Sequence, residues 1–417
     1  MSDVTKDLFL RTIAAIATPL GQGGVGIVRL SGPQALDIVR RLFRSARRDF
    51  KGPKPYILHH GWICDLHGAV LDETLVSYMP KPGSYTGEDV IEINCHGGPA
   101  VVQQVLLEVL NAGAQTANPG EFTLRAFLNG RLDLSQAESV AEMVSAKSQV
   151  GIQIAGTKLQ GGLGQVVSYC KDRLTNVRAQ LCLFNDFPEE EEDSGSRQRL
   201  GSEVQEVKTS IEELLANFRR YNCWREGALV VLAGKVNVGK SSLFNHILGR
   251  KRAIVTSYPG TTRDFLEETI NLNGLPVRLV DIAGLRQTFD LVEQEGLDQG
   301  QELIQRADLV CLVFDLSQGE DQEAINLALS IEKEKLLAVA NKTDLPWDKD
   351  NPFDWFVENH IQCLSVSAKT GEGIKELLHI LRSRITGYSQ EPDQGAIVPN
   401  LRQSKSLEAT LTELTEM

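Results

Sequence analysis

Residues 228–242 read ALVVLAGKVNVGKSS, an apolar run followed by a glycine-rich loop. This order predicts a strand, a loop and the start of a helix, the context of the phosphate-binding motif G-x-x-x-x-G-K-[ST]. Backbone N–H groups of such a loop and the helix N-terminus attract phosphate oxygens. We expect Lys240 to reach the β- and γ-phosphates and the Ser241 hydroxyl to bind Mg²⁺. The sequence therefore predicts a nucleoside triphosphate site formed by Gly234, Asn237, Val238, Gly239, Lys240, Ser241 and Ser242.

Four further motifs follow this loop and indicate which base is bound. A hydroxyl of Thr261 or Thr262 could complete the Mg²⁺ shell, while Asp281 ends a strand near the metal. Asp344 can accept hydrogen bonds from both N1–H and N2–H₂ of guanine, a pair of donors that adenine does not offer. The order and spacing of the motifs predict guanine specificity. The residues assigned here are Asp281, Ile282, Ala283, Gly284, Asn341, Lys342, Asp344, Ser367, Ala368 and Lys369.

The position after Gly284 bears on how the nucleotide would be hydrolysed. Ras-like proteins carry a glutamine there that orients the attacking water, and this chain has Leu285. A leucine side chain cannot orient water, and the sequence does not allow an arginine finger to be assigned. Another polar group must therefore orient the water, and another cation must neutralise charge in the transition state.

Length and composition indicate a large globular protein. The chain has 417 residues, enough for about three domains. Its longest apolar runs are too short for a membrane span, and its N-terminus has no secretory signal. The seven cysteines have no C-x-x-C spacing, which disfavours zinc sites and disulfides. These features predict a cytoplasmic protein without membrane association.

The charge disfavours one class of function. A net charge of −12 is unlike that of proteins that coat nucleic acid non-specifically. One basic segment, between residues 40 and 54, could still contact nucleic acid. Arg40, Arg44 and Arg48 would share a helical face there, although a solvated surface is the simpler interpretation.

Residues 1–127 read as a mixed α/β domain. The glycines of residues 21–26 match the dinucleotide fingerprint G-x-G-x-x-G. However, the residues that follow predict a strand where the fingerprint requires a helix, so we do not assign a dinucleotide site. A second half-buried strand is predicted over residues 85–93.

The rest of the chain alternates in character. Residues 128–226 read as helical, with a capping box predicted over Ser135–Glu138. Residues 227–384 alternate strands and helices as in a doubly wound parallel sheet, and helical pattern resumes over residues 385–417. A helical domain is therefore interrupted by the nucleotide domain. The helical face of the last segment carries Leu407, Leu411 and Leu414. The strands predicted in the nucleotide domain are Leu229–Ala233, Val277–Ile282, Leu309–Asp315, Leu336–Ala340 and Gln362–Val366.

Motifs outside the nucleotide domain extend along essentially the whole chain. They are GGVGIVR at 23–29, YTGED at 85–89, HGGP at 96–99, PGEFT at 119–123, AFLNGRLDL at 126–134 and DFP at 186–188. With these motifs the chain resembles the MnmE (TrmE) family of tRNA-modification GTPases. The resemblance implies a multidomain α/β fold: an N-terminal α+β folate-binding domain, a discontinuous all-α helical domain and an inserted Ras-like doubly wound G domain.

The resemblance also implies how GTP would be hydrolysed. Family members form homodimers through the N-terminal domain, and their G domains pair on GTP around a K⁺ ion that replaces an arginine finger. The water-orienting glutamate falls on Glu293, which would act with Lys240 and Thr262. The K⁺ ligands would be the Asn237 side chain and the carbonyls of Thr256, Tyr258 and Thr261. The same nucleotide-binding segment contains Ser257, Pro259, Gly260 and Thr262.

A one-carbon cofactor and a tRNA substrate follow from the same resemblance. The 5-formyltetrahydrofolate site would map onto Arg29, Glu92 and Arg131, the last of which is often lysine in the family. With an FAD-dependent MnmG-type partner, expected in a heterotetramer, such proteins install a 5-carboxymethylaminomethyl or aminomethyl group on the wobble uridine of certain tRNAs. GTP hydrolysis would drive conformational cycling and not the carbon chemistry.

Three alternatives stay open. The family ends in a C-x-G-K tail, whereas this sequence ends at Glu416 and Met417. We therefore expect a fragment or a shortened chain, and the first alternative is a GTP switch that has lost modification activity. The second is a ribosome-assembly GTPase of the Era or Der type, which would carry a KH-type domain or a second G domain. The third is a folate-dependent aminomethyltransferase with an inserted switch.

Overall fold

A computed structural model of the protein describes residues 10–186, 194–251, 267–282, 300, 302–387, 392–393 and 395–416. The chain forms two compact units, Met1–Val140 and Ala141–Met417. Helices and strands are numbered over the described residues. Among these residues, no helix is both long enough and apolar enough to cross a membrane.

The first unit is built on a seven-stranded sheet. The strands are β1 (Ile13–Ile16), β2 (Val25–Ser31), β3 (Phe43–Ser45), β4 (His59–Cys64), β5 (Val70–Met79), β6 (Val90–His96) and β7 (Gln115–Thr116). The helices are α1 (Ala35–Leu42), α2 (Pro99–Asn111) and α3 (Glu121–Leu128). The strand order is β3-β4-β5-β6-β2-β1-β7. The strand predicted after the glycines of residues 21–26 is confirmed, because β2 begins at Val25.

Alternation along the strands gives this sheet two different faces. Val28 on β2 and Ile93 on β6 are register partners, and both are fully buried in a core that includes Val105 of α2. The next pair in the register, Arg29 and Glu92, therefore points to the opposite face. Both of these charged side chains are only partly buried.

A buried arginine holds together the loop before β6 and the helix α3. Arg125 on α3 is fully buried, and it donates to Glu88 at 3.0 Å and to Glu121 at 2.9 Å. Ser31, at the end of β2, donates to the same Glu88 carboxylate at 2.7 Å. Burying a charge is costly unless it is paired and hydrogen-bonded. Arg125 therefore stabilises this unit by joining three separate segments.

Two predicted details of the first unit are wrong. The strand expected over residues 85–93 begins at Val90, because the polar side chains before it make turn contacts. Asp89, for example, accepts from a backbone N–H at 3.0 Å. The second detail concerns the basic segment. Arg40 lies on α1, but Arg44 lies in β3, so the two do not share a helical face.

Helices surround the nucleotide domain in the chain. Before it come α4 (Leu134–Ser145), α5 (Gln149–Leu159), α6 (Gly162–Asp186) and α7 (Ser194–Glu226), and after it comes the last helix, α12 (Leu401–Glu416). Asp133 caps α4, because its carboxylate accepts from the Gln136 N–H at 2.8 Å and its own N–H donates to the Gln136 side chain at 2.9 Å. The capping box thus lies two residues before the predicted Ser135–Glu138. The Ser135 hydroxyl donates to Asp133 instead.

Glu142 on α4 is the centre of a second buried charge cluster. It forms an ion pair with Lys158 of α5, which is fully buried. It also pairs with Arg225 of α7 at 3.3 Å and accepts from the Asn400 amide at 3.4 Å. One carboxylate therefore connects α4, α5 and α7, which precede the nucleotide domain, with the start of α12, which follows that domain.

The predicted apolar face of the last helix is confirmed. Leu414 on α12 is buried in a cluster with Val207 and Ile211 of α7, and Leu407 and Leu411 pack against the same cluster. The two parts of the helical sequence thus share one core although the nucleotide domain separates them.

The nucleotide domain is a six-stranded sheet with helices. The strands are β8 (Ala228–Ala233), β9 (Glu267–Leu272), β10 (Leu275–Asp281), β11 (Leu309–Asp315), β12 (Leu336–Asn341) and β13 (Cys363–Ser365). The helices are α8 (Lys240–Lys251), α9 (Gln322–Leu329), α10 (Phe353–Glu358) and α11 (Ile374–Thr386). Their apolar residues form two core clusters, one with β8 residues such as Val230 and one with β8 residues such as Val231. Successive β8 side chains therefore pack on opposite faces of the sheet.

The strand order is β13-β12-β11-β8-β10-β9. All neighbours are parallel except β9, which pairs antiparallel with β10. The five predicted strands are present, but β9 was not predicted. The Asn273-Gly274 turn before β10, where both residues have positive φ, is a hairpin signal that could have revealed it. The order is Ras-like, and the predicted multidomain α/β fold is confirmed.

Replacing Arg125 should destabilise the first unit. Arg125→Met keeps much of the side-chain volume but leaves Glu88 and Glu121 buried without their cation. Removing one partner of a buried ion pair costs about 3–5 kcal/mol. Hydrogen exchange measured by mass spectrometry should show faster exchange within residues 10–140 at low denaturant. Arg40→Met, on an exposed side chain that pairs with Asp37, is the control and should change exchange little. Equal protection in both variants would contradict a stabilising role for Arg125.

Candidate functional site

The loop between β8 and α8 has the backbone geometry of a phosphate-binding loop. Gly234, Asn237 and Gly239 all have positive φ, at 130°, 66° and 97°. Asn tolerates this left-handed region better than most residues with a side chain. Lys240, the first residue of α8, is buried, and its ammonium donates to the carbonyls of Gly234 at 2.7 Å and Lys235 at 2.5 Å. The loop therefore wraps around the lysine ammonium that the motif assigns to the phosphates.

Ser241 and Asp281 form the corner at which a metal ion could bind. The Ser241 hydroxyl donates to Asp281 at 2.8 Å, and Asp281 is fully buried at the end of β10. Asp281 ends β10, and Ser241 lies on the helix α8 that follows β8, the parallel neighbour of β10. A hydroxyl and a carboxylate are oxygen ligands of the kind that Mg²⁺ prefers. The sequence placed Ser241 and Asp281 together, and the structure confirms that they touch.

Asn341 connects the phosphate loop to the predicted base-binding loop. Its amide nitrogen donates to the Val238 carbonyl at 2.8 Å, and its amide oxygen accepts from the Ala368 N–H at 3.0 Å. The Gly239 backbone lies directly beside this amide, because a Cβ at Gly239 would be 2.3 Å from the Asn341 nitrogen. Asn341 is itself buried. One side chain therefore fixes the distance between two loops of the site.

Asp344 is held ready to accept hydrogen bonds. The Ser367 hydroxyl donates to one of its oxygens at 2.7 Å, and this bond lowers the pKa of Asp344. The Lys369 ammonium lies 3.8 Å from the other oxygen. A lowered pKa keeps the carboxylate ionised at neutral pH, and an ionised carboxylate only accepts hydrogen bonds. This is the chemistry that the two N–H groups on the guanine edge require.

Lys342 has a partner that the sequence did not indicate. It has a positive φ of 69°, and its ammonium donates to Asp315 at 2.6 Å at the end of β11. Burial raises the pKa of Asp315, but hydrogen bonds from Lys342 and Ser317 outweigh it and lower the pKa overall. Asp315 was missed because it belongs to no nucleotide motif. Its position at the carboxyl end of a central strand was the available signal.

The remaining predicted residues fall into two groups. Ser242 is exposed on α8, and Ile282 directly follows β10. Several others lie outside the described residues, so their predicted roles are untested. They are Thr256, Ser257, Tyr258, Pro259, Gly260, Thr261, Thr262, Ala283, Gly284 and Glu293.

A separate pair of charges lies on the first unit. The Arg29 Nε donates to Glu92 at 2.8 Å, and the rings of Tyr85 and Phe122 lie 5.6 and 5.7 Å from its guanidinium. Arg29 and Glu92, which the resemblance assigns to one site, thus lie in contact, whereas the two aromatic rings were not predicted. Arg131 lies in the turn after α3 and is exposed. An arginine between aromatic rings offers cation–π contacts and a flat, partly exposed surface.

The strand, loop and helix around Lys240, together with Asn341 and Asp344, define a phosphate-loop protein that binds guanine nucleotides. Residues 12–131 match the family profile described as GTP-binding protein TrmE N-terminus, and residues 134–417 match the MnmE helical domain. These two matches cover most of the chain, so it belongs to the MnmE (TrmE) family. In agreement with the site, it is a GTPase.

Individual relatives are similar over almost the whole chain. The tRNA modification GTPase MnmE of Nitratidesulfovibrio vulgaris (strain DP4) is 48% identical over 409 residues, which are 97% of this chain and 88% of that protein. The protein of the same name from Lawsonia intracellularis (strain PHE/MN1-00) is 43% identical, with 97% and 89% covered. The one from Carboxydothermus hydrogenoformans (strain ATCC BAA-161) is 42% identical, with 97% and 88% covered.

A methyl group at Gly239 should weaken nucleotide binding. Gly239→Ala would place a Cβ against the Asn341 amide and force an L-residue into a positive φ. Strain of this kind costs about 1–3 kcal/mol, so the affinity for GDP should fall about tenfold or more.

Gly249→Ala on the same helix is the matched control. A Cβ there has no neighbour within 4 Å, and alanine favours a helix, so GDP affinity should stay unchanged. Titration of a fluorescent GDP analogue would measure both variants. Similar losses in the two variants would contradict the contact between Gly239 and Asn341.

Proposed function

We propose that this GTPase takes part in the 5-carboxymethylaminomethyl or aminomethyl modification of the wobble uridine of certain tRNAs. The observation that carries the proposal is the similarity over 97% of the chain to a tRNA modification GTPase. The similarity includes the first unit, with its Arg29–Glu92 pair. A GTP switch without modification activity would need only the nucleotide domain.

The first unit is proposed to bind a 5-formyltetrahydrofolate-type cofactor. Such a molecule has a flat pterin ring with hydrogen-bond donors and acceptors and a carboxylate tail. Glu92 can accept from ring N–H groups, and the Arg29 guanidinium lies among aromatic rings that suit a flat ligand. Arg131, which is exposed, would supply a second cation toward the carboxylates. When bound, the folate would supply the one-carbon unit.

The proposed assembly is a homodimer that binds an FAD-dependent MnmG-type protein as a heterotetramer, with tRNA as the substrate. GTP hydrolysis would change how the G domains pair and would not act on the uridine. Ser241 and Asp281 would hold Mg²⁺ at the phosphates, together with Thr262. Glu293 would orient the attacking water. The predicted cytoplasmic location agrees with a tRNA substrate.

Arg29→Ala should abolish tRNA modification and leave GTP hydrolysis unchanged. The assay uses a bacterial strain whose own tRNA modification GTPase has been deleted. In that strain the wild-type chain should restore the modified wobble uridine, measured by mass spectrometry of tRNA nucleosides. Arg29→Ala should restore none and should not bind 5-formyltetrahydrofolate in titration calorimetry, because the guanidinium beside Glu92 is gone. Its rate of GTP hydrolysis should be unchanged, since the nucleotide site is intact.

The control is Arg40→Ala, which removes an exposed side chain of α1 and should behave as wild type in all three assays. If the wild-type chain hydrolyses GTP but restores no modified uridine, the proposal is wrong and a GTP switch is the better reading. If Arg29→Ala still binds the folate, the assignment of Arg29 is wrong.

K⁺ is proposed to act where an arginine finger acts in other GTPases. Asn237 lies exposed at the tip of the phosphate loop, so its amide oxygen is available to a cation. The other proposed ligands are the carbonyls of Thr256, Tyr258 and Thr261. An amide oxygen and three carbonyls form a ligand set of neutral oxygen atoms, as in the carbonyl sites of potassium channels.

GTP turnover should therefore depend on the monovalent cation. An arginine finger accelerates hydrolysis about 10³–10⁵-fold, so turnover in KCl should exceed turnover in NaCl at equal ionic strength by at least about tenfold. Asn237→Gly, which removes the amide and suits the positive φ of this position, should lose this stimulation while it keeps GDP affinity. Asn245→Ala, exposed on α8, is the control and should retain it. Equal turnover in the two salts would rule out a role for K⁺.

A further inference from the structure

A histidine outside the nucleotide motifs touches the base-binding loop. His246 lies on α8, two turns after Lys240, and its Nδ1 is 3.0 Å from the carbonyl oxygen of Ala368. A carbonyl only accepts hydrogen bonds, so Nδ1 carries the proton and donates. The helix that begins at the phosphate loop is thereby tied to the loop that backs the guanine pocket.

With this bond, the backbone of Ala368 is held at both its N–H and its carbonyl group. Its N–H donates to the Asn341 side chain at 3.0 Å, and its carbonyl accepts from His246. Directly before it, the Ser367 hydroxyl donates to Asp344 at 2.7 Å and accepts from the Thr370 N–H at 3.1 Å. The position of this loop therefore sets the orientation of the Asp344 carboxylate.

The other ring nitrogen of His246 destabilises the folded state. The Nε2 is buried and, within the described part of the chain, has no hydrogen-bond partner. With the proton on Nδ1, Nε2 carries a lone pair that has lost its water. A buried acceptor without a partner is destabilising, and an apolar side chain of similar size would avoid that penalty. The contact with Ala368 is therefore what distinguishes histidine from an apolar residue here.

We propose that His246 is a positioning residue for guanine recognition: its hydrogen bond to Ala368 holds the base-binding loop so that Asp344 meets both N–H groups of the guanine edge. His246 acts through the loop and does not touch the nucleotide itself. Asn341, at the end of β12, accepts from the Ala368 N–H, so two side chains together hold the loop in place.

Inosine nucleotides provide the probe for this role. Guanine offers N1–H and N2–H₂ to Asp344, whereas inosine lacks the exocyclic amine and offers only N1–H. If the loop shifts and Asp344 tilts, the two-point contact with guanine suffers more than the single contact with inosine. A loss of positioning should thus lower the preference for GDP over IDP, which a loss of overall stability would not do.

The test uses His246→Phe and His246→Gln in the full chain. Phenylalanine keeps the ring volume and removes the donor, and glutamine keeps a donor on a flexible side chain. For His246→Phe, GDP affinity should fall about tenfold and IDP affinity about threefold, which matches the loss of one hydrogen bond. His246→Gln should recover part of both the affinity and the preference. Asn245→Ala, exposed on the same helix, is the control.

Calorimetric titrations of GDP and IDP, with thermal unfolding of each variant, decide the outcome. A smaller GDP preference in His246→Phe at an unchanged or higher melting temperature supports the proposal. Wild-type affinity and preference in His246→Phe would overturn it. Equal losses for GDP and IDP would also overturn it, because they would show a structural role only. If His246→Phe does not fold, the same ratio measured on His246→Gln decides: a preference for GDP below that of the wild type supports the proposal, and a wild-type ratio overturns it.

Discussion

The nucleotide site depends on one buried amide. Asn341 donates to the Val238 carbonyl and accepts from the Ala368 N–H, so it needs a donor and an acceptor on one short side chain. Aspartate would lose the donor, and leucine would lose both. The loops that it joins follow β8, β12 and β13, whose carboxyl ends meet at the same edge of a parallel sheet. The sheet brings the loops near each other, and the amide sets their spacing.

Buried charges play a similar part away from the nucleotide. Arg125 is enclosed by two carboxylates in the first unit, and Glu142 is enclosed by Lys158 and Arg225 in the second. Each cluster joins segments that lie far apart in the sequence. By contrast, the Arg29–Glu92 pair is partly exposed and lies on the sheet face opposite the core that includes α2. An ion pair of that kind contributes little to stability, so its surroundings suit a ligand better than a structural role.

The sequence was sufficient wherever a function is encoded in consecutive residues. The loop before Lys240 and the motif that ends in Asp344 were predicted because strand, turn and helix signals stand next to each other. Contacts between distant segments were not accessible in that way: Tyr85 and Phe122 meet at Arg29 only through the folded sheet. The α4 cap was misplaced because neighbouring Asp133 and Ser135 both fit a capping pattern, and hydrogen-bond geometry decides between them. The edge strand β9 was missed because it pairs antiparallel with β10, whereas the alternation of strands and helices predicts parallel strands only.

The shared core of α7 and α12 has a consequence for how the protein is made. Val207 and Leu414 pack together but are about 200 residues apart, and closing so long a loop slows folding. On the ribosome, α7 emerges before the whole nucleotide domain, and the part of its apolar face that packs against Leu414 stays uncovered until α12 follows. A nucleotide domain that folds early would bring its own two ends together and shorten this loop. The inserted domain would then assist the folding of the two helices that flank it, because its own folding brings them close together.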